Sequence, residues 1–161
     1  MPNEGESVQA PTSGGRRVLV LAREEARSRH HERLGTEHLV LGILGERDGV
    51  ALSLLKQMGL SLEQLRRDIE HALPAGNASA LSHEIPFDTE VKRVIEYAID
   101  EAKLLRHTHV GSEHLLAGLL RKETGSAGRV LRASGASLHK IRKLLGMDEQ
   151  LLRMLEDNLG Q

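Results

Sequence analysis

The chain has no cysteine and no tryptophan, a single tyrosine, a single phenylalanine and only four prolines. Without thiols there are no disulfides, no thiolate metal sites and no cysteine nucleophile. Phe87 and Tyr97 are too few to build the stacking platforms that hold single-stranded nucleic acid. Neither sign of charge dominates: 22 Lys and Arg stand against 23 Asp and Glu, a formal net charge of -1. That balance disfavours a general nucleic-acid binder and a polybasic membrane-surface protein. No apolar run approaches the roughly 18 residues of a membrane span. The N-terminus lacks a charged-then-apolar signal pattern, so a cytoplasmic location is the expectation.

Several chemical motifs are missing too. There is no GxxxxGK[ST], and no lysine follows a glycine, so no phosphate loop of that type is present. There is no HExxH, and no serine sits in a GxSxG elbow. An enzyme therefore has little support, and no cofactor is implied. What remains is 161 residues, 39% of them hydrophobic and 28% charged, the make-up of a globular domain. A chain of this length can bury roughly two thirds of its unfolded surface. Its core must be aliphatic.

The dominant feature is an internal repeat. With Val18 set over Val94, VLVLAREEA (Val18 to Ala26) lies over VIEYAIDEA, and GTEHLVLGIL (Gly35 to Leu44) over GSEHLLAGLL. LLKQMGLSLEQLR (Leu54 to Arg66) lies over VLRASGASLHKIR, and no gap is needed. Each copy reads as four helices. The first starts near Arg16, or near Thr89 in the second copy, with apolar residues at period 3.6. The second starts at Thr36 or Ser112, both suited to N-capping, and is apolar enough to be central. The third ends at Gly59 or Gly135, where glycine suits a left-handed C′ position. Ser61 and Ser137 cap the fourth, with Gln64 completing a capping box in the first copy. Nothing alternates at period 2, so no sheet is expected.

The expected fold is all-α: two tandem four-helix repeats packed with pseudo-twofold symmetry, plus a C-terminal helix. Residues 1–15 read as a polar, flexible leader. Repeat one spans 16–73, the linker 74–86 and repeat two 87–147, together one domain over 16–147. Residues 148–161 form the added helix, with Leu151, Leu152, Leu155 and Leu159 on one side.

Nine histidines raise the question of a metal. Only His31/His107 and His38/His114 recur, and neither copy offers the three or four closely spaced ligands that zinc requires. His38 and His114 are expected as near-buried side chains bonded to neighbouring backbone, with no metal.

The duplicated pattern of EEA, then GTEHLVLGIL, a glycine, LL, and GLS opening the last helix resembles the N-terminal domain of Clp unfoldases, the ClpC type above all. The resemblance covers about Thr12 to Leu145. It implies a non-catalytic module that binds substrates or adaptors, with Clp unfoldase or protease components as partners. It also implies phosphoarginine recognition by the glutamate of each G[TS]EH motif and a threonine at each repeat start. The matching glutamates are Glu37 and Glu113. A carboxylate can pair with a guanidinium through two hydrogen bonds, and a helix N-terminus favours phosphate. Equally, a glutamate in a first helical turn stabilises the helix dipole without any ligand.

The repeat starts depart from the family pattern of an aromatic followed by Thr. Repeat one has Pro11-Thr12 and then Gly14-Gly15, so its first helix is expected to start late and leave Thr12 mobile. Repeat two has Phe87-Asp88; Asp caps a helix well but repels phosphate. With Thr12 assigned to Glu37 and Asp88 to Glu113, repeat one is the copy expected to retain binding. The ClpC ATPase modules do not occur in these residues, and the leader and extra helix favour a free-standing protein that acts as adaptor, competitor or decoy. Two other functions compete with this one. Basic clusters at Arg16-Arg17, Arg66-Arg67 and Lys140 to Lys143 would serve a nucleic-acid-associated protein, but fit ordinary solvated helix faces better. Acid–base catalysis by a Glu-His pair is disfavoured, because adjacent helical residues point about 100° apart.

Overall fold

The computed structural model describes residues 11–77 and 84–159. Residues 1–10 of the expected leader and 78–83 of the expected linker lie outside the described residues. The described residues form helices α1 (Ser13–Ser28), α2 (Thr36–Gly45), α3 (Val50–Gln57) and α4 (Leu62–Ala72) in repeat one. Repeat two holds α5 (Thr89–Leu104), α6 (Ser112–Arg121), α7 (Ser126–Ala133) and α8 (Leu138–Leu144), and α9 (Glu149–Leu159) follows. There is no β-strand among the described residues; Leu34 and Phe87 form one isolated parallel bridge. The all-α, duplicated architecture is as the sequence implies.

α2 and α6 are the centre. Leu39, Val40, Leu41 and Ile43 of α2 are buried, as are Leu115, Leu116, Leu119 and Leu120 of α6. Each packs closely on the first helix of its own repeat, and glycine makes that possible. A Cβ on Gly42 would stand 2.4 Å from the Val18 carbonyl oxygen; one on Gly118 would stand 2.5 Å from that of Val94. Both glycines lie inside helices, where their backbone entropy costs about 1 kcal/mol relative to Ala. Close helix approach over a buried aliphatic interface offsets that cost.

Three helix ends differ from expectation. α1 starts at Ser13, not Arg16, and Thr12 is a fixed N-cap rather than mobile: its Oγ1 accepts from the Gly15 amide at 3.0 Å. Gly15 is required here, since a Cβ would come within 2.6 Å of the Val110 carbonyl oxygen. Poor local propensity is overridden by contact with the other repeat. Second, Gly35 and Gly111, not Thr36 and Ser112, occupy the N-cap positions of α2 and α6. Ser112 instead caps a helix of the other repeat, its Oγ accepting from the Ala51 amide at 3.1 Å. Third, Ser61 caps α4 through the Gln64 amide, but the Gln64 side chain turns to Asp68, so the capping box is half made. Gly59 and Gly135 adopt the expected left-handed conformation, with φ of 85° and 112°.

The two repeats treat one ion pair differently. Arg142 of α8 donates through Nε to Glu101 of α5 at 3.1 Å and through Nη2 to its second oxygen, and both residues are buried. The matching Arg66 and Glu25 are 3.6 Å apart and half-buried. α9 packs on α8, burying Leu152, with Leu151 and Leu155 half-buried. Leu151, Leu152 and Leu155 thus seat the last helix against repeat two.

Replacing either crossing glycine should be costly. Gly42→Ala and Gly118→Ala are each expected to lower stability by about 1–3 kcal/mol through overpacking against backbone. Urea unfolding followed by circular dichroism measures this; a loss below ~0.5 kcal/mol would contradict the close approach.

Candidate functional site

The segments entering α2 and α6 are tied to the opposite repeat. The Thr12 amide donates to the Val110 carbonyl at 2.9 Å, and the Asp88 amide donates to the Leu34 carbonyl at 3.0 Å. These equivalent bonds put each repeat's start beside the G[TS]EH motif of the other. Thr12 therefore neighbours Gly111 and the start of α6, whereas Asp88 neighbours Gly35 and Glu37. The pairing of Thr12 with Glu37 and of Asp88 with Glu113 is corrected accordingly. A single sequence shift aligns repeats, but it cannot show that the twofold arrangement exchanges their ends.

At the start of α2 lies an open cavity of about 380 Å³, lined by His31, Gly35, Glu37, Pro74, Asn77 and Asp88 among others. The Asp88 Oδ1 caps α5 through the Val91 amide at 2.8 Å. Its Oδ2 and the Glu37 Oε2 both approach Gly35, 3.2 and 3.1 Å from where a Cβ would stand. Glu32, Glu37 and Asp88 thus line one cavity, and these carboxylates outnumber its one arginine, Arg33. Such an arrangement suits a cationic group and opposes an anionic one. The Glu37 Oε1 accepts a hydrogen bond from Ser126 at the start of α7. Sequence reasoning did not single out Ser126, because the repeat offers valine at the matching position, Val50.

Glu113 behaves differently. Its carboxylate folds back over Gly111, within 1.8 Å of where a Cβ would be. Burial pushes its pKa above the ordinary carboxylate value, against the opposing effects of backbone hydrogen bonding and His107. The His114 Nδ1 is 3.3 Å from this carboxylate, so the adjacent Glu and His do approach in repeat two. The same Nδ1 accepts the Gly111 amide at 2.8 Å. It therefore carries no proton to give to the carboxylate while the ring is neutral.

The repeated histidines are buried and bonded to backbone, as expected: His38 is 3% exposed and His114 2%. The Gly35 amide donates to the His38 Nδ1 at 2.8 Å. The proton of neutral His38 therefore sits on Nε2, which faces the His31 Nδ1 at 2.7 Å. His31 is left to donate through Nε2 to the Pro74 carbonyl, 2.8 Å away. His114 and His107 form the same ring-to-ring bond at 2.8 Å. The N3 histidine accepts the amide of the N-cap glycine in both copies, the half of a capping box that needs no N-cap side chain. Burial, reinforced by His31 and Arg29, lowers the His38 pKa from 6.5 to about 4, outweighing Glu25; burial and then His107 lower that of His114 likewise to about 4.

Much of the basic surface is already engaged. Arg17 meets Glu46 at 3.0 Å, Arg66 meets Glu70 at 3.3 Å, and Arg142 is buried against Glu101. Arg132 donates to the carbonyls of Leu120, Lys122 and Glu123. No group of three or more metal-binding side chains occurs among the described residues, and no described helix is long and apolar enough to cross a membrane.

The duplicated helices and their G[TS]EH starts define a Clp-type repeat domain. The Clp repeat (R) N-terminal domain model matches residues 11–134 and again 86–161, and the chain belongs to that family. It is 43% identical over 139 residues to the chloroplastic chaperone protein ClpC2 of Oryza sativa subsp. japonica, and 42% over 142 residues to ClpC1 of Arabidopsis thaliana. These alignments cover 86% and 88% of this chain but 14% of each relative. Among solved structures, the N-terminal domain of Arabidopsis thaliana ClpD superposes with a TM-score of 0.62 at 24% identity, covering 84% of this chain and 94% of that one. The ClpV N-domain in complex with a VipB peptide matches at 0.57 and 18% identity, covering 84% and 77%.

The histidine chains carry a pH signature. A histidine whose pKa is lowered on folding adds stability above its unfolded value of 6.5, and this is lost as pH falls towards 4. Each contributes up to about 3 kcal/mol of this change. Glu113, with its pKa raised, acts in the opposite direction. Stability should fall between pH 6.5 and 4, and His38→Gln with His114→Gln should flatten that fall. Urea midpoints measured across the range test it; an unchanged slope in the double variant would refute it.

Proposed function

We propose that this chain is a non-catalytic binding module of the Clp proteolytic system that takes arginine-bearing segments of substrate or adaptor proteins at the starts of α2 and α6. The carrying observation is the equivalent placement of Glu37 and Glu113 in both repeats, in the first turn of the helix. A carboxylate there offers a guanidinium two acceptors, and the helix start offers amides to an attached phosphate. Cationic and phosphorylated arginine then divide between the two sites. Asp88 opposes phosphate beside Glu37, while Thr12 leaves the Glu113 side free of an extra carboxylate. Phosphoarginine therefore belongs at Thr12 and Glu113, after the Glu113 side chain swings outward. A peptide occupant is in keeping with the ClpV N-domain structure, whose partner is a peptide.

A second reading is an accessory or decoy protein that docks on the Clp unfoldase or protease itself; it uses the same family membership. A nucleic-acid role has less support, because Arg17, Arg66 and Arg142 of the three basic clusters are paired within the fold. The proposed setting is cytoplasmic, although the plant relatives are named chloroplastic.

The test is a titration with free phosphoarginine followed by amide chemical shifts. Shifts are expected at Gly111 to His114, lost in Glu113→Ala and kept in Glu37→Ala. Loss in Glu37→Ala alone would overturn the assignment, and no shifts at millimolar ligand would remove phosphoarginine from the function.

A further inference from the structure

We infer that the residue at the first position of the facing third helix decides whether each glutamate is held ready for a guanidinium: Ser126 of α7 positions Glu37, and Val50 of α3 leaves Glu113 withdrawn. The inference rests on the proposed guanidinium-binding role of these two glutamates. It starts from a comparison that the fold makes unusually clean. Glu37 and Glu113 occupy the same position of equivalent helices, follow glycine N-caps and precede equivalent buried histidines. Their backbone settings match, and Thr36 reaches the Glu37 Oε2 only at 3.5 Å, yet their carboxylates lie differently.

The start of each third helix faces the start of the other repeat's second helix. Ser112 at the head of α6 accepts the Ala51 amide of α3, and Ser126 at the head of α7 donates to Glu37 of α2. Ser126 and Val50 are thus counterparts by the repeat: Ser126 meets Glu37, and Val50, exposed at the head of α3, directly precedes the Ala51 amide that Ser112 accepts. The hydroxyl can hold a carboxylate outward; the valine has nothing to donate. The Ser112 hydroxyl is engaged by the Ala51 amide. Lacking a donor opposite, Glu113 folds onto Gly111 into a site where burial raises its pKa. Glu37, tethered through Oε1, stays farther from its glycine and borders the cavity with Asp88.

A tethered carboxylate has already lost its side-chain entropy and already faces the ligand, so less is lost on binding. A withdrawn one must first leave its pocket. Ser126 is in this sense a positioning residue. It touches the glutamate, and the glutamate touches the ligand. The one hydrogen bond involved corresponds to about a fivefold change in affinity.

The experiment uses the full chain and N-acetylarginine amide, a cationic probe without phosphate, with amide shifts read separately at 35–38 and 111–114. In the wild-type chain the probe should bind at 35–38. Ser126→Val should weaken it there about fivefold, and Ser126→Thr, which keeps the hydroxyl, should restore it. Val50→Ser should strengthen binding at 111–114 about fivefold, and Glu113→Gln should abolish that gain. Valine already stands at one of the two positions and serine at the other, so both exchanges suit the fold. If the wild-type chain binds and both exchanges leave affinity within about twofold, the positioning role is overturned while the guanidinium reading stands. If the wild-type chain binds at neither loop, the guanidinium reading fails. The thermal midpoints of Ser126→Val, Glu37→Gln and the double variant then decide the tether: non-additive shifts support it, and additive shifts overturn it.

Discussion

Two backbone hydrogen bonds determine what the rest of this domain can do. Thr12 to Val110 and Asp88 to Leu34 fasten the head of each repeat to the other repeat. Because these are main-chain bonds, almost any side chain could stand at positions 12 and 88 without breaking them. The arrangement fixes the location of the two side chains but leaves their chemistry open. Threonine stands in one place and aspartate in the other, and both still cap their helices. The fold therefore tolerates a change that reverses the electrostatics of a cavity.

Close backbone approach, between the repeats and within each, explains the glycines. Gly15 is squeezed against the Val110 carbonyl, and Gly42 and Gly118 against the helices they cross. Gly111 gives room to the Glu113 carboxylate folding back across the helix start. A buried amide left without an acceptor costs about 1–3 kcal/mol. The N3 histidine supplies the acceptor for the amide of each N-cap glycine. His38 and His114 are therefore tied to the glycines before them, and their duplication follows from backbone satisfaction alone. Neither needs a metal or a reaction to account for it.

This logic separates what was legible in the sequence from what was not. Helices α2 and α6 were readable because apolar residues fill them almost without interruption. Gly59 and Gly135 marked helix ends because a positive φ is a local demand. The fixed Thr12 was hidden: local propensity at Gly14 and Gly15 pointed to a late helix start, and the contact that overrides it comes from a residue almost a hundred positions away. The exchange of Thr12 and Asp88 between sites was hidden for a related reason. Self-alignment reveals equivalence between copies but not which copy each segment touches. Ser126 was invisible because a tether present in only one repeat leaves no repeated signal.

Differences between the copies consequently gather at the rim. The buried apolar positions keep their character, as Val18 and Val94, Ala22 and Ala98, and Leu39 and Leu115 do. Charged positions are rearranged even where they are shielded: Glu46, paired with Arg17, corresponds to Lys122, paired with Glu90. Position 12 against 88 and position 50 against 126 follow the same pattern. A duplicated core constrains both repeats to one shape, since a volume change in either is felt by the packing around it. Rim residues are under no such constraint. Two sites that began with equivalent backbone can then diverge in preference, one bordered by a second carboxylate with its glutamate held out, the other bordered by threonine with its glutamate withdrawn. Specificity in such a domain is set by the few side chains that the symmetric scaffold does not dictate.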